Sequence, residues 1–173
     1  MNKIIEGGAR VHSLFTRAGA YLQSPLLLAV RLYWGWQFFQ TGYGKLMHMD
    51  KVVGFFTSLG IPFPAFNAYF VTWLECVGGG LLFLGLGSRV IALPLTIDMV
   101  VAYIAADREA LFSIFSDPAK FYAADPYTFF FASLLILVFG PGKMSLDSAL
   151  GYVLKKKVAG LQDLRGTSAL SAT

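Results

Sequence analysis

Three formal charges fall inside stretches that are otherwise apolar: Arg31, Glu75 and Asp98. Each costs roughly 2.5–3.5 kcal/mol at the centre of a membrane-spanning helix, so such side chains should turn inward and find partners. Counting 1.5 Å per residue, Arg31 sits about 10 Å in from Ser24, Glu75 about 15 Å deep, and Asp98 about 14 Å past Arg89. All three fit one layer, where the guanidinium could pair with one carboxylate or bridge both. One arginine against two acids leaves a surplus carboxyl. The chemistry open to such a cluster is a ligand site, proton exchange, or an ion pair that only fixes helix register.

Faces of the helices agree with this grouping. Arg31, Gly35, Phe38, Gly42 and Lys45 form one stripe. Thr72, Glu75, Gly78 and Gly79 share a second, and Pro94, Asp98, Ala102 and Ala105 a third. Small residues beside the charges allow close helix approach or leave room for a ligand. The expectation is a polar pocket among the first three helices, closed by a fourth. The same glycine faces could serve a homodimer. Crowded rings on the first helix (Tyr33, Trp34, Trp36, Phe38, Phe39, Tyr43) could stack on a quinone, or could simply pack.

The elements that must carry these residues follow from composition. The chain has 173 residues, 56% hydrophobic and only 14% charged, with a mean hydropathy of +0.61. A soluble domain carries about 25% charged residues, so membrane lipid is the expected surrounding. Four stretches approach the roughly 20 apolar residues that a span needs: residues 24–44, 65–87, 88–106 and 126–140. The last is short and is expected to borrow residues 121–125. Pro25 suits the start of the first helix. Between the second and third, "GLGSR" makes a tight hairpin, with Ser88 as the expected cap of the next helix.

With four spans both termini share a side. Lys3, Arg10, Arg17, Arg89, Lys143, Lys155, Lys156, Lys157 and Arg165 lie there, against Lys45, Lys51, Arg108 and Lys120 opposite. That bias puts both termini in the cytoplasm. Amphipathic stretches at 11–22, 52–59 and 146–154 either lie flat in the headgroup region or pack on the bundle ends. The expected organisation is a cytoplasmic amphipathic segment over 1–23, a four-helix transmembrane domain over 24–142, and a cytoplasmic helix with a loose basic tail over 143–173. The start shows no apolar core or cleavage site of a signal peptide.

Several chemistries lack their residues. A single cysteine, Cys76, excludes an internal disulfide or dithiol centre. Met47, His48 and Met49 are soft ligands, but adjacent helical residues diverge, so no metal site is assigned. No phosphate-binding loop, dinucleotide fingerprint or Ser-His-Asp set is present. The outer loop between the third and fourth spans is net acidic and contains Phe112, Phe115, Phe121 and Tyr122, a composition suited to capping the pocket.

Taken in order, Arg31, "GYGK" ending at Lys45, "LGIPFP", "ECVGGG", "LGLGSR" and "FGPGKMSLD" resemble the DoxX family of small four-helix membrane proteins over about residues 24–150. The stretch "DMVVAYIAADREALFSIFSDPAKFYAADPY" is similar to members with a longer outer loop. The resemblance implies a bundle in a bacterial or archaeal inner membrane. It also implies association with redox systems linked to quinones, thiols or sulfur compounds. A soluble redox partner or second subunit is implied too, because this chain has no electron carrier of its own. Arg31, Lys45, Glu75, Gly78 and Gly79 match the family's motif positions, whereas Asp98 rests on burial alone. The expected function is the membrane subunit of such a redox system, with Arg31, Lys45, Glu75, Gly78, Gly79 and Asp98 around an intramembrane ligand pocket. The alternatives are a transporter of protons or small solutes and a non-enzymatic assembly scaffold.

Overall fold

The computed structural model describes the backbone of residues 2–170 and the side chains of residues 12–158. Every element in it is helical: α1 (Asn2–Met47), α2 (Met49–Ser58), α3 (Pro64–Leu84), α4 (Ser88–Ala105), α5 (Arg108–Phe112), α6 (Pro118–Ala123), α7 (Pro126–Phe139) and α8 (Leu146–Leu170). α3 and α4 are long and apolar enough to cross a membrane, and α7 is a shorter apolar helix.

Two pairs build the bundle: α1 lies along α3, and α4 along α7. Between them sits a core of Phe38, Leu82, Leu95 and Ile136, all fully buried, with Val30, Ala92, Met99 and Ala132 around them. Phe38 meets the edge of Phe129 at 4.7 Å, joining α1 to α7. Thr96 donates to Ser133 Oγ at 3.0 Å and so ties α4 to α7 with both hydroxyls satisfied.

The α1–α3 contact is backbone against backbone. A Cβ on Gly35 would lie 2.6 Å from Phe83 N, and Cβ atoms on Gly42 and Gly79 would strike the backbone nitrogens of Cys76 and Phe39. Gly78 faces the other way, where a Cβ would come within 3.1 Å of Ile91 on α4. The glycines beside the charges therefore close helix crossings within the chain, as small residues do where helices approach without side chains between them.

Three expectations change. Pro25 does not start a helix but lies inside α1, which runs unbroken from Asn2. The one carbonyl it leaves unpaired is Tyr21's, one turn back, on an exposed stretch where water can serve it. α8 continues as helix through Leu170, across the stretch read as a loose tail. Residues 121–125 do not lengthen α7, because α6 ends at Ala123 and Ala124 is extended. The amphipathic segments leave Leu14, Phe15, Leu22, Leu150, Val153 and Leu154 exposed rather than packed on the bundle. Val11 and the charges Lys3, Arg10 and Arg165 fall outside the described side chains.

Candidate functional site

Because three glycines let α1 and α3 touch, the last turn of α1 runs level with the middle of α3. Lys45 Nζ there donates to both carboxylate oxygens of Glu75, each at 2.6 Å. The Glu75 side chain is 4% exposed and that of Lys45 36%. The pair is thus lopsided: the acid is deep, and the ammonium reaches it from a partly open surface along its apolar stem. Asp98, on α4, is near enough to feel the charges of both Glu75 and Lys45. Yet its Oδ2 is buried without a hydrogen-bond partner.

A cleft of about 600 Å³ opens beside this pair. Thr41 and Lys45 of α1, Met99 and Ala102 of α4, and Pro126, Thr128 and Phe129 of α7 form its walls, with Glu75 reaching in from α3 and Phe55 from α2. The segment between α4 and α7 contributes Asp107, Tyr122 and Asp125 to the lining, whereas Phe112, Phe115 and Phe121 lie outside it. Tyr103 holds the loop down: its ring stacks on Phe121 at 5.2 Å, and its hydroxyl donates to the Phe121 carbonyl at 2.9 Å. The fourth apolar helix, α7, is therefore a wall of the cleft, not only a lid on three others. Asp98, Gly78 and Gly79 lie outside the lining, although Met99 and Ala102, next to and one turn beyond Asp98, are in it.

Arg31 is elsewhere. It stands 14 residues before Lys45 on the same stripe, about 21 Å along the axis. Its Nη1 donates to the Pro141 carbonyl at 3.1 Å and its Nη2 to that of Met144 at 2.9 Å. Gly85 lies against the guanidinium, and any Cβ there would collide with it. The expected layer of Arg31, Glu75 and Asp98 is thus replaced by two separate sites, Arg31 at the α3–α4 turn and Glu75 midway along α3 with Lys45 as its cation. Depth was counted from Ser24 as though the helix began at the membrane boundary. In fact the guanidinium turns toward the near end, where free carbonyls await it.

That near end is a closed knot of backbone. Gly85 (φ +73°) ends α3, with Gly85 N–H donating to Leu82 O and Leu86 N–H to Leu81 O. This is the paired pattern of a glycine-terminated helix. Asp147 accepts from the N–H of Gly87 at 2.7 Å and of Ser88 at 2.9 Å, and its own N–H donates to Gly85 O. The cap of α4 therefore comes from 59 residues downstream rather than from Ser88 itself. Partial burial pushes the Asp147 carboxyl up, but the N–H donors of Ser88 and Gly87 and the charge of Arg31 outweigh it and hold the carboxyl below its ordinary value.

The charge at Glu75 and the smallness of the glycine face were legible beforehand, but not that Gly78 and Gly79 would pack helices instead of lining the cleft. Thr41, Phe55 and Phe129 were not, since nothing in their local sequence distinguishes a cleft wall from packing. Lys45 had a signal, its place on the stripe of Arg31.

Known proteins match the chain in sequence. The DoxX family profile matches residues 26–108. The chain is 33% identical over 138 residues to "Uncharacterized membrane protein Rv3486" of Mycobacterium tuberculosis, covering 73% of this chain and 82% of that one. It is also 33% identical over 85 residues to "Putative oxidoreductase CatD" of Bacillus subtilis, covering 49% of this chain and 62% of that one. No solved structure matches. With its motif residues divided between the Arg31 knot and the Lys45–Glu75 pair, the chain is a membrane protein of the DoxX family.

Proposed function

We propose that the protein is the membrane subunit of a redox system and that the cleft beside Lys45 and Glu75 takes its small-molecule ligand. The observation that carries this is a buried charge pair on the wall of a cleft of about 600 Å³, with an unmatched carboxylate behind it. A drug-sized ligand fits such a volume. Rings of Phe55, Tyr122 and Phe129 suit a flat compound of the quinone class. An ammonium has three donors and Lys45 commits two to Glu75, which leaves one for a ligand oxygen. The name of the Bacillus subtilis relative supports a redox setting.

In this reading α1, α3, α4 and α7 all span a bacterial or archaeal inner membrane, with both termini in the cytoplasm. The basic side chains Arg17, Arg89, Lys143 and Lys155 to Lys157 support that orientation. Electrons come from a soluble partner or second subunit. Transport has less support: between Asp98 and Arg89, Thr96 is the sole polar side chain of α4, and it is bonded to Ser133.

Calorimetric titration of the purified protein in nanodiscs with 1,4-naphthoquinone tests the proposal, with empty nanodiscs subtracted. Saturable binding is expected, about tenfold weaker in the Lys45→Met/Glu75→Gln double variant, which removes both charges together. No saturable binding, or equal binding by the folded variant, defeats it.

A further inference from the structure

The ionisable groups of the cleft do not balance. Three carboxylates line it, Glu75, Asp107 and Asp125, against the single cation Lys45. Lys45 is already engaged by Glu75. Neighbouring cations of the outer loop face other partners: Lys120 pairs with Glu109 at 2.9 Å, and the Arg108 guanidinium lies 5.6 Å over the Phe112 ring. Lys51 is not among the lining residues. Asp107 and Asp125 each begin a helix, α5 and α7, without their side chains capping it. Both residues line the cleft, and neither side chain is committed to a helix cap. Behind the wall stands Asp98, with Oδ2 unmatched.

Asp107 and Asp125 thus add two formal negative charges to a mostly apolar cleft whose one lining cation is already paired. Apolar walls concentrate such a field. An anion entering would shed its water and then meet charge of its own sign, the arrangement by which sites reject a wrong ligand. An uncharged ring meets no such barrier.

We infer that the cleft selects by charge, admitting uncharged or cationic ring compounds and turning anions away. Of a neutral ring and an anionic compound of similar size, this chain's cleft takes the ring. The inference rests on the reading of the cleft as a ligand site. The test compares 1,4-naphthoquinone with its 2-sulfonate, the same ring bearing one negative charge, on the full-length protein in zwitterionic nanodiscs. At low salt the neutral ring should bind at least tenfold more tightly. The gap should narrow as salt rises. An Asp107→Asn/Asp125→Asn variant with unchanged thermal midpoint should close it by improving the sulfonate alone. Equal or tighter binding of the sulfonate, or a gap indifferent to the double variant, overturns charge selection while leaving the ligand site intact. Failure of both probes to bind above empty nanodiscs removes the ligand site along with it.

Discussion

Arg31 and Lys45 sit on one stripe of α1, yet they solve the problem of a buried cation in opposite ways. Arg31 is 2% exposed and gives its fork to two main-chain carbonyls of the loop after α7. A planar guanidinium with fixed donors suits that task. Lys45 is partly exposed and gives a compact charge to a side chain, Glu75, on the edge of a cleft. One cation closes an end of the molecule, and the other lines a cleft partway along it. Motif residues that look alike in sequence thus divide into those that hold the chain together and those that line a cleft.

Arg31→Ala should break this contrast most severely. It strands the carbonyls of Pro141 and Met144 over a hole, and a loss of about 3–5 kcal/mol is expected from two acceptors each losing a charge-assisted hydrogen bond. Thermal unfolding in detergent reads it. The protein that remains folded should bind 1,4-naphthoquinone as wild type does, and a large affinity change there would blur the two roles.

Lys45→Met strands the deeper partner and should cost about 3 kcal/mol, at the lower end for an orphaned buried charge. Adding Glu75→Gln should return stability to within about 1 kcal/mol of wild type, since removing both charges removes the mismatch. A double variant no more stable than the single one would mean the pair does more than neutralise itself.

Acid should separate the two sites by a smaller effect. Asp147 holds its proton less tightly folded than unfolded. Its contribution is therefore complete above the ordinary carboxylate range and disappears as pH falls through the lower folded-state value. Unfolding midpoints measured from pH 5 downward should fall more steeply in wild type than in Asp147→Asn. Parallel curves would take Asp147 out of the closure. The smallest effect belongs to Asp98→Asn. That change removes a charge with an unmatched oxygen and should alter stability by less than about 1 kcal/mol, read from the same melts. A large loss would reveal a partner for Asp98.

Helix identity was written plainly in the apolar runs and in Gly85, Gly87 and Pro126, and α3, α4 and α7 lie close to where those residues point. Direction was not. A charge on a helix can reach toward either end, and Arg31's choice depends on carbonyls 110 and 113 residues away. The same distance hid the cap of α4: Ser88 looked sufficient locally, whereas Asp147 supplies the acceptor from a segment with no local mark of that duty. The glycines were legible as small, but only the crossing of α1 on α3 shows that Gly35, Gly42 and Gly79 hold a contact rather than make room.

Asp147 also has a bearing on how the chain is made. The turn between α3 and α4 is complete in the nascent polypeptide long before its clasp exists, because the residue that grips Gly87 lies 60 positions later. Until the ribosome delivers that aspartate, the amides of Gly87 and Ser88 lack the acceptor they have in the folded protein. The finishing step of biogenesis is therefore a C-terminal one, and a protein truncated after α7 would carry every apolar helix and still lack its latch.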